Sequence, residues 1–370
     1  MPDTPLPLAT RRSFVGGLIA VSAMPGRIPA ADDDRLVAGT YANEGGAGLV
    51  PLIPTAKGWE TGAADATIRN ASFGITGRGA RRLRYLLDEQ TRGTVGIYDT
   101  AFKRIAIHPT LGADPCHVAL APGSNMLAVA NYSSGSVALW QLDPATGLPR
   151  GEAQVVAHRG SGPNATRQAG PHAHWVGFTR DGSILHSVDL GADAVFAHRI
   201  DRGTGRSVGT TVAYQAAPGS GPRHLARHPR LPIAYLVAEL ANTITVLRAS
   251  RDGTFAHRAT VSTLPEGFRG TSFGAHIALN AAGSRLYVSN RGHDSVAVYA
   301  VGQDGGLRLL QHVDCGGHWP RFFLLREAQR DMLVANERSG GVARLPLRGD
   351  GSLAVATDST RLPGVVFLGS

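Results

Sequence analysis

The chain has 370 residues, a formal charge of +9, 43% hydrophobic and 18% charged residues, the balance of a folded soluble protein rather than a disordered one. Two cysteines exclude a disulfide framework and a Cys-ligated zinc site, while 47 glycines are nearly double the average share of about 7% and call for many turns. The basic excess is dispersed arginine; its densest cluster, Arg78, Arg81, Arg82 and Arg84, has no interleaved aromatics, so a nucleic-acid surface is not expected.

In chain order, Arg11-Arg12-Ser13-Phe14-Val15 comes first, followed by an apolar run from Gly16 to Met24. That run is shorter than the roughly 20 residues a bilayer span needs, and paired arginines before it mark a twin-arginine export signal. Ile28-Pro29-Ala30-Ala31 supplies small residues for cleavage ahead of Asp32-Asp33-Asp34. The expectation is a signal peptide over residues 1–30 and a periplasmic mature chain over 31–370, not attached to the membrane and monomeric.

Beyond the signal, short alternating apolar runs bounded by Gly, Asn and Asp recur, and no long segment keeps a helical period. Leu127-Ala128-Val129-Ala130-Asn131 matches Leu286-Tyr287-Val288-Ser289-Asn290 and Met332-Leu333-Val334-Ala335-Asn336, and looser copies end at Glu89, Asp189 and Glu239. The separations of these ends, 42, 58, 50, 51 and 46 residues, suit four-stranded propeller blades of the WD40 kind. Cys116, His174 and Arg321 stand fifteen residues before Asn131, Asp189 and Asn336, and Arg223 stands sixteen before Glu239. Asp143-Pro144-Ala145-Thr146-Gly147, Arg251-Asp252-Gly253 and Gly349-Asp350-Gly351 carry hairpin chemistry.

A partial copy from Leu36 to Leu52 lacks an inner strand, which the C-terminal run Pro363 to Leu368 can supply. Closing the ring in this way removes the open edge. The fold expected is all-β, a seven-bladed β-propeller whose N- and C-terminal strands share a blade. Antiparallel pairing then gathers His174, Asp189, Arg223, Glu239, Asn290, Arg321 and Asn336 at one end of the central channel.

Pro171-His172-Ala173-His174, Asp189-Leu190-Gly191-Ala192-Asp193, Gly221-Pro222-Arg223-His224, Ala238-Glu239-Leu240 and Ser289-Asn290-Arg291-Gly292 together resemble the seven-bladed lactonase family, which includes propeller-type 6-phosphogluconolactonase and carboxymuconate cyclase. The resemblance covers residues 36 to 368 and implies a catalytic set of His174, Arg223, Glu239 and Arg291. The second blade departs from it: Tyr85-Leu86-Leu87-Asp88-Glu89-Gln90 is a degraded form of the family's pattern, behind an unusually basic stretch.

Opening a lactone requires an activated water and a stabilised oxyanion. His174, or second to it Glu239, is the expected base, with Arg223 and Arg291 holding the carbonyl oxygen and any anionic substituent through their forked donors. The substrate expected is a sugar-derived lactone, unphosphorylated if the protein is exported. The alternatives are a carboxymuconate-type lactonising cyclase and a non-catalytic binding scaffold.

Other polar residues have duller readings. His172 and His224 are expected to be structural, Asn131, Asn290 and Asn336 to be turn residues, and Arg321 to line the channel outside the catalytic set; His318 is weaker still. Glu239 and Arg223 could equally form a structural ion pair. Asp189, Glu239, Asn290 and Asn336 could imitate the oxygen ligands of the calcium-dependent six-bladed lactonases, but the motifs match the other family, and neither metal nor cofactor is expected. Cys116 and Cys315 are placed in blades three and seven, too far apart for a disulfide. No Gly-x-Ser-x-Gly or Gly-x-Gly-x-x-Gly run is placed between a strand and a helix, so nucleophile-elbow and dinucleotide chemistry are not expected.

Overall fold

The computed structural model describes residues 36–55, 58–77, 82–123 and 125–369; the expected export signal and Arg78 and Arg81 lie outside them. Seven four-stranded antiparallel sheets form the blades of a ring. Blades two to seven begin with inner strands Gly74–Thr76, Pro115–Leu120, Ala173–Phe178, Pro222–Arg227, Phe273–Leu279 and Pro320–Arg326. Their second strands are Arg84–Asp88, Met126–Asn131, Ile184–Asp189, Ile233–Ala238, Arg285–Arg291 and Asp331–Asn336. Blade one takes its inner strand from the C-terminus, Val365–Gly369, which pairs with Leu36–Thr40. The ring is therefore closed by the shared blade expected from the two terminal runs.

Blades pack face against face, so their middle strands are covered on both sides. Met126–Asn131, Ile233–Ala238 and Asp331–Asn336 are buried throughout, as continuous apolar runs of that length require. The peripheral strand Gln154–Ala157 alternates half-buried and exposed residues. The apolar clusters lie between neighbouring blades, as where Leu127, Val129 and Trp140 of blade three meet Tyr85, Leu87 and Ile97 of blade two.

Two local devices aim side chains at one end of the channel. The first is a register irregularity at the start of the inner strands, between Pro115 and His117, Ala173 and Trp175, Pro222 and His224, and Pro320 and Phe322. A β-bulge leaves one residue unpaired and re-aims its side chain; here those residues are Cys116, His174, Arg223 and Arg321. The second device is the residue just past the second strand.

The paired ends of the second strands are Asp88, Asn131, Asp189, Ala238, Asn290 and Asn336. Glu89 and Glu239 therefore stand one position beyond the residues with which the sequence repeat aligned them. Their structural counterparts are Tyr132, Leu190, Arg291 and Glu337. Tyr132, Leu190, Glu239 and Glu337 each lie sixteen residues after the bulged position of their own blade.

The one-residue offset corrects the expectation that Asp189, Asn290 and Asn336 share the channel with Glu239. Asn131, Asn290 and Asn336 are fully buried and donate to the carbonyls of Thr110, Thr263 and Cys315, in the chain entering each blade from the one before. Asp189 does the same work with a carboxylate. Its Oδ1 accepts the backbone N–H groups of His172 and Ala192, and its Oδ2 lies 2.7 Å from His158 Nδ1. His158 Nε2 in turn meets Ser187 Oγ at 3.0 Å. The Asp189–His158–Ser187 connectivity is that of a hydrolase triad, but it is sealed inside blade four and functions as a clamp.

Candidate active site at the channel mouth

Glu239 is the hub of the mouth. Its Oε2 receives Arg291 at 2.8 Å and Arg223 Nε at 3.0 Å, and its Oε1 receives Arg167 at 2.7 Å. His174 Nε2 lies 3.9 Å from Oε2. Three of the four residues named from the sequence, His174, Arg223 and Arg291, thus converge on the carboxylate of the fourth, and all four are buried. Arg223 also donates to the Ala275 carbonyl and contacts His224 Nε2, while Arg291 donates to the Gly274 carbonyl. Both guanidiniums are thereby fixed before any ligand arrives.

Burial alone would favour the neutral acid at Glu239, but Arg291 and Arg223, with His174 and Arg167, outweigh it and hold the carboxyl well below its usual range. Burial and the neighbouring Arg291 charge push Arg223 down to about 9, which leaves it cationic at neutral pH. Burial, reinforced by Arg223 and only partly opposed by Glu239, drives His174 well below the ordinary imidazole value. Its ring is therefore neutral under physiological conditions, with Nδ1 3.6 Å from the Cys116 thiol. Cys116 and Cys315 are both free and buried; Cys315 falls in the connection from blade six to blade seven.

A second cluster faces this hub from blades seven, one and two. Arg321 donates to the Tyr41 hydroxyl at 2.8 Å, and Tyr41 donates to Glu89 Oε2 at 2.8 Å. Glu337 lies 3.6 Å from Arg321. Burial raises the Glu89 carboxyl from its ordinary value despite Arg321 and the hydrogen bonds from Tyr41 and Ser72. Two glutamates at one mouth are thus driven in opposite directions. Four guanidiniums (Arg167, Arg223, Arg291, Arg321) stand against three carboxylates (Glu89, Glu239, Glu337), a balance suited to negative charge developing on a ligand.

Sequence reasoning missed Arg167, Tyr132, Tyr41 and Glu337 as site residues and passed over Glu89. Arg167 comes from the irregular connection into blade four, outside any repeat register; it also donates to the Tyr132 hydroxyl at 3.3 Å. The other four were legible as a ring once aligned one residue later. His172 stacks on Tyr132, at 4.5 Å between centroids, and supports the wall. His318 pairs with Asp294.

One residue deeper in the inner strands, aromatic rings floor the mouth. Phe73 stacks on His117 at 4.3 Å, His276 lies 4.3 Å from Phe322, and His224 bridges His117 and His276 at 5.4 and 5.5 Å. His224 is thus a floor residue, matching its structural reading. Among the described residues, no three His, Cys, Asp or Glu side chains are grouped to hold a metal ion. Of the basic cluster in blade two, Arg84 opens the second strand at the end remote from the mouth, stacked 4.1 Å over Phe102.

A family model described as "Lactonase, 7-bladed beta-propeller" matches residues 35–367. The chain belongs to the seven-bladed β-propeller lactonase family. A 6-phosphogluconolactonase of Bacillus subtilis is 36% identical over 235 residues, 62% of this chain and 65% of that protein; the match thus spans just under two thirds of that relative. Among solved structures, the periplasmic gluconolactonase of Pseudomonas aeruginosa superposes with a TM-score of 0.81 at 27% identity, covering 90% of this chain and 98% of that one. A Lactobacillus plantarum protein superposes with a TM-score of 0.80 at 26% identity over the same shares.

Proposed function

We propose that this lactonase-family propeller hydrolyses a sugar-derived lactone at the channel mouth, converting an aldonolactone to its aldonic acid. The carrying observation is the convergence of four fixed guanidiniums on one polar mouth above an aromatic floor. Attack of water on a lactone places negative charge on the former carbonyl oxygen, and preorganised donors act where that charge develops. Arg223 and Arg291, immobilised by Glu239 and by backbone carbonyls, supply such a field without rearranging. The ring-opened product carries a carboxylate, which the same cations accommodate.

Of the two bases expected from the sequence, Glu239 is committed to three guanidiniums and has little proton affinity. His174 has the neutral form a base needs, but burial makes it a weak one. The twin-arginine pattern supports export to the periplasm, and an unphosphorylated lactone is the substrate consistent with that compartment. The comparisons support the same reading, one similar protein being a 6-phosphogluconolactonase and another a periplasmic gluconolactonase.

The test is hydrolysis of glucono-1,5-lactone and its 6-phosphate, followed by pH-stat above the spontaneous rate, with and without a chelator. Wild-type activity on the unphosphorylated lactone, indifferent to chelator and reduced on the order of 10²–10³-fold in Arg223→Ala, is the expected outcome. Preference for the phosphate ester would overturn the substrate assignment, and an unimpaired Arg223→Ala would remove the arginines from the chemistry.

A further inference from the structure

We infer that Glu89, rather than either base expected from the sequence, takes the proton from the attacking water, and that the polar cavity in front of it is the approach to the reacting centre. This inference rests on the lactonase reading above and assigns a residue within the same mouth. It begins with access. Arg223, Glu239, Arg291 and His174 are each more than nine-tenths buried, whereas Glu89 is only half-buried and lies in the wall of a cavity of about 380 Å³. Asn43, Arg69, Gln90, Thr91 and Asp114 line the same cavity, a setting of amide, hydroxyl and charged groups that suits a hydroxyl-rich ligand.

The position of Glu89 is built, not incidental. It occupies the ring place in blade two that Glu239 occupies in blade five, so the two carboxylates flank the mouth from well-separated blades. The Arg321–Tyr41–Glu89 relay, with both links at 2.8 Å, holds one carboxylate oxygen and fixes the orientation of the other. The charged and titratable groups facing Glu89 are Tyr41 from blade one, Arg69 from the connection into blade two, Arg321 from blade seven, Asp114 from the connection into blade three and Cys116 from its inner strand, with Glu337 of blade seven acting on Tyr41 and Arg321. Where two carboxylates in one site are pushed apart in proton affinity, the one pushed up is fitted to exchange protons and the one pushed down to stay charged. Here Glu89 is raised and Glu239 lowered.

The step balances without a co-reactant. As the water oxygen bonds to the carbonyl carbon, one water proton passes to Glu89 and the carbonyl electron pair moves onto the oxygen facing the guanidiniums. Collapse of the tetrahedral intermediate restores that double bond and breaks the bond from carbon to the ring oxygen. The proton held by Glu89 passes to the departing ring oxygen, leaving a hydroxy acid and the carboxylate restored.

The experiment is a pH profile of kcat/KM on glucono-1,5-lactone for wild type, Glu89→Gln, Glu89→Asp and Tyr41→Phe, with thermal melts to confirm folding. In wild type the activity should rise with pH through a single ionisation raised from the ordinary carboxylate value. Glu89→Gln should lose about 10²–10⁴-fold together with that acidic limb, with KM changed far less than kcat. Glu89→Asp should recover part of the rate and keep the limb. Tyr41→Phe, which removes a hydrogen bond favouring the ionised form, should move the limb to higher pH. A folded Glu89→Gln within about threefold of wild type, or one that keeps the limb, overturns the role of Glu89 while leaving the lactonase standing. A wild type silent above background overturns the lactonase reading and this role with it.

Discussion

Glu239 is the buried carboxylate on which the arginines of the mouth are organised. Three guanidiniums meet its two oxygens at 2.7 to 3.0 Å, and deleting one partner of such a buried network leaves the others uncompensated. Glu239→Gln is expected to lower unfolding free energy by about 3–5 kcal/mol, read from urea denaturation, and to abolish activity by releasing the arginines. A variant of wild-type stability would mean that solvent already screens the hub. His174, Arg223, Glu239 and Arg291 were readable because their motifs are distinctive and their spacing follows the repeat. Arg167 was not, since it comes from a connection with no period, and its partner is set by tertiary approach alone. Glu89 was visible in sequence, yet its role depends on a cavity and on a tyrosine and an arginine from two other blades.

Blades two, three, four, six and seven use the second-strand end for two tasks, clamping the chain entering the blade and presenting a side chain to the mouth, whereas blade five has Ala238 at the clamp position. The clamp residues are Asp in blades two and four and Asn in blades three, six and seven, and the partners differ accordingly. Asp189 satisfies two backbone N–H groups and His158, whose other nitrogen meets Ser187. Asp189→Ala orphans buried donors and should cost at least about 1–3 kcal/mol. Asp189→Asn, the residue type used at 131, 290 and 336, should cost less because one acceptor survives. Thermal melts of the two variants give the comparison, and equal melting temperatures would contradict the clamp. The existence of the blades was legible because strand alternation and turn residues recur locally. The division between clamp and site position was not, since a one-residue shift is invisible in loosely matched copies and becomes clear only from pairing register.

At the scale of the whole ring, burial keeps imidazoles neutral both at the floor of the channel and within the blades. Burial holds His117, His174 and His224 well below the ordinary value and brings His186, His198 and His276 to about 3. In the unfolded chain each titrates near 6.5. Between that pH and the folded value the unfolded chain binds more protons, so stability falls as pH falls. The melting temperature should be nearly flat from pH 8 to 7 and decline steadily below about 6.5, a decline that a constant value down to pH 4.5 would refute. Ring closure was legible in the sequence because the partial first copy and the C-terminal apolar run are complementary. The histidine floor was not, because its members are spread from residue 117 to residue 276 and meet only when the blades close.

The most direct measurement of the central claim is the initial rate of glucono-1,5-lactone opening at neutral pH, corrected for spontaneous hydrolysis, for wild type and a folded Arg291→Ala variant. Charge stabilisation by the fixed arginines predicts a clear wild-type rate and a loss on the order of 10²-fold or more in the variant. Equal rates in the two proteins, or no wild-type rate above the spontaneous one, would contradict a lactonase site at this mouth.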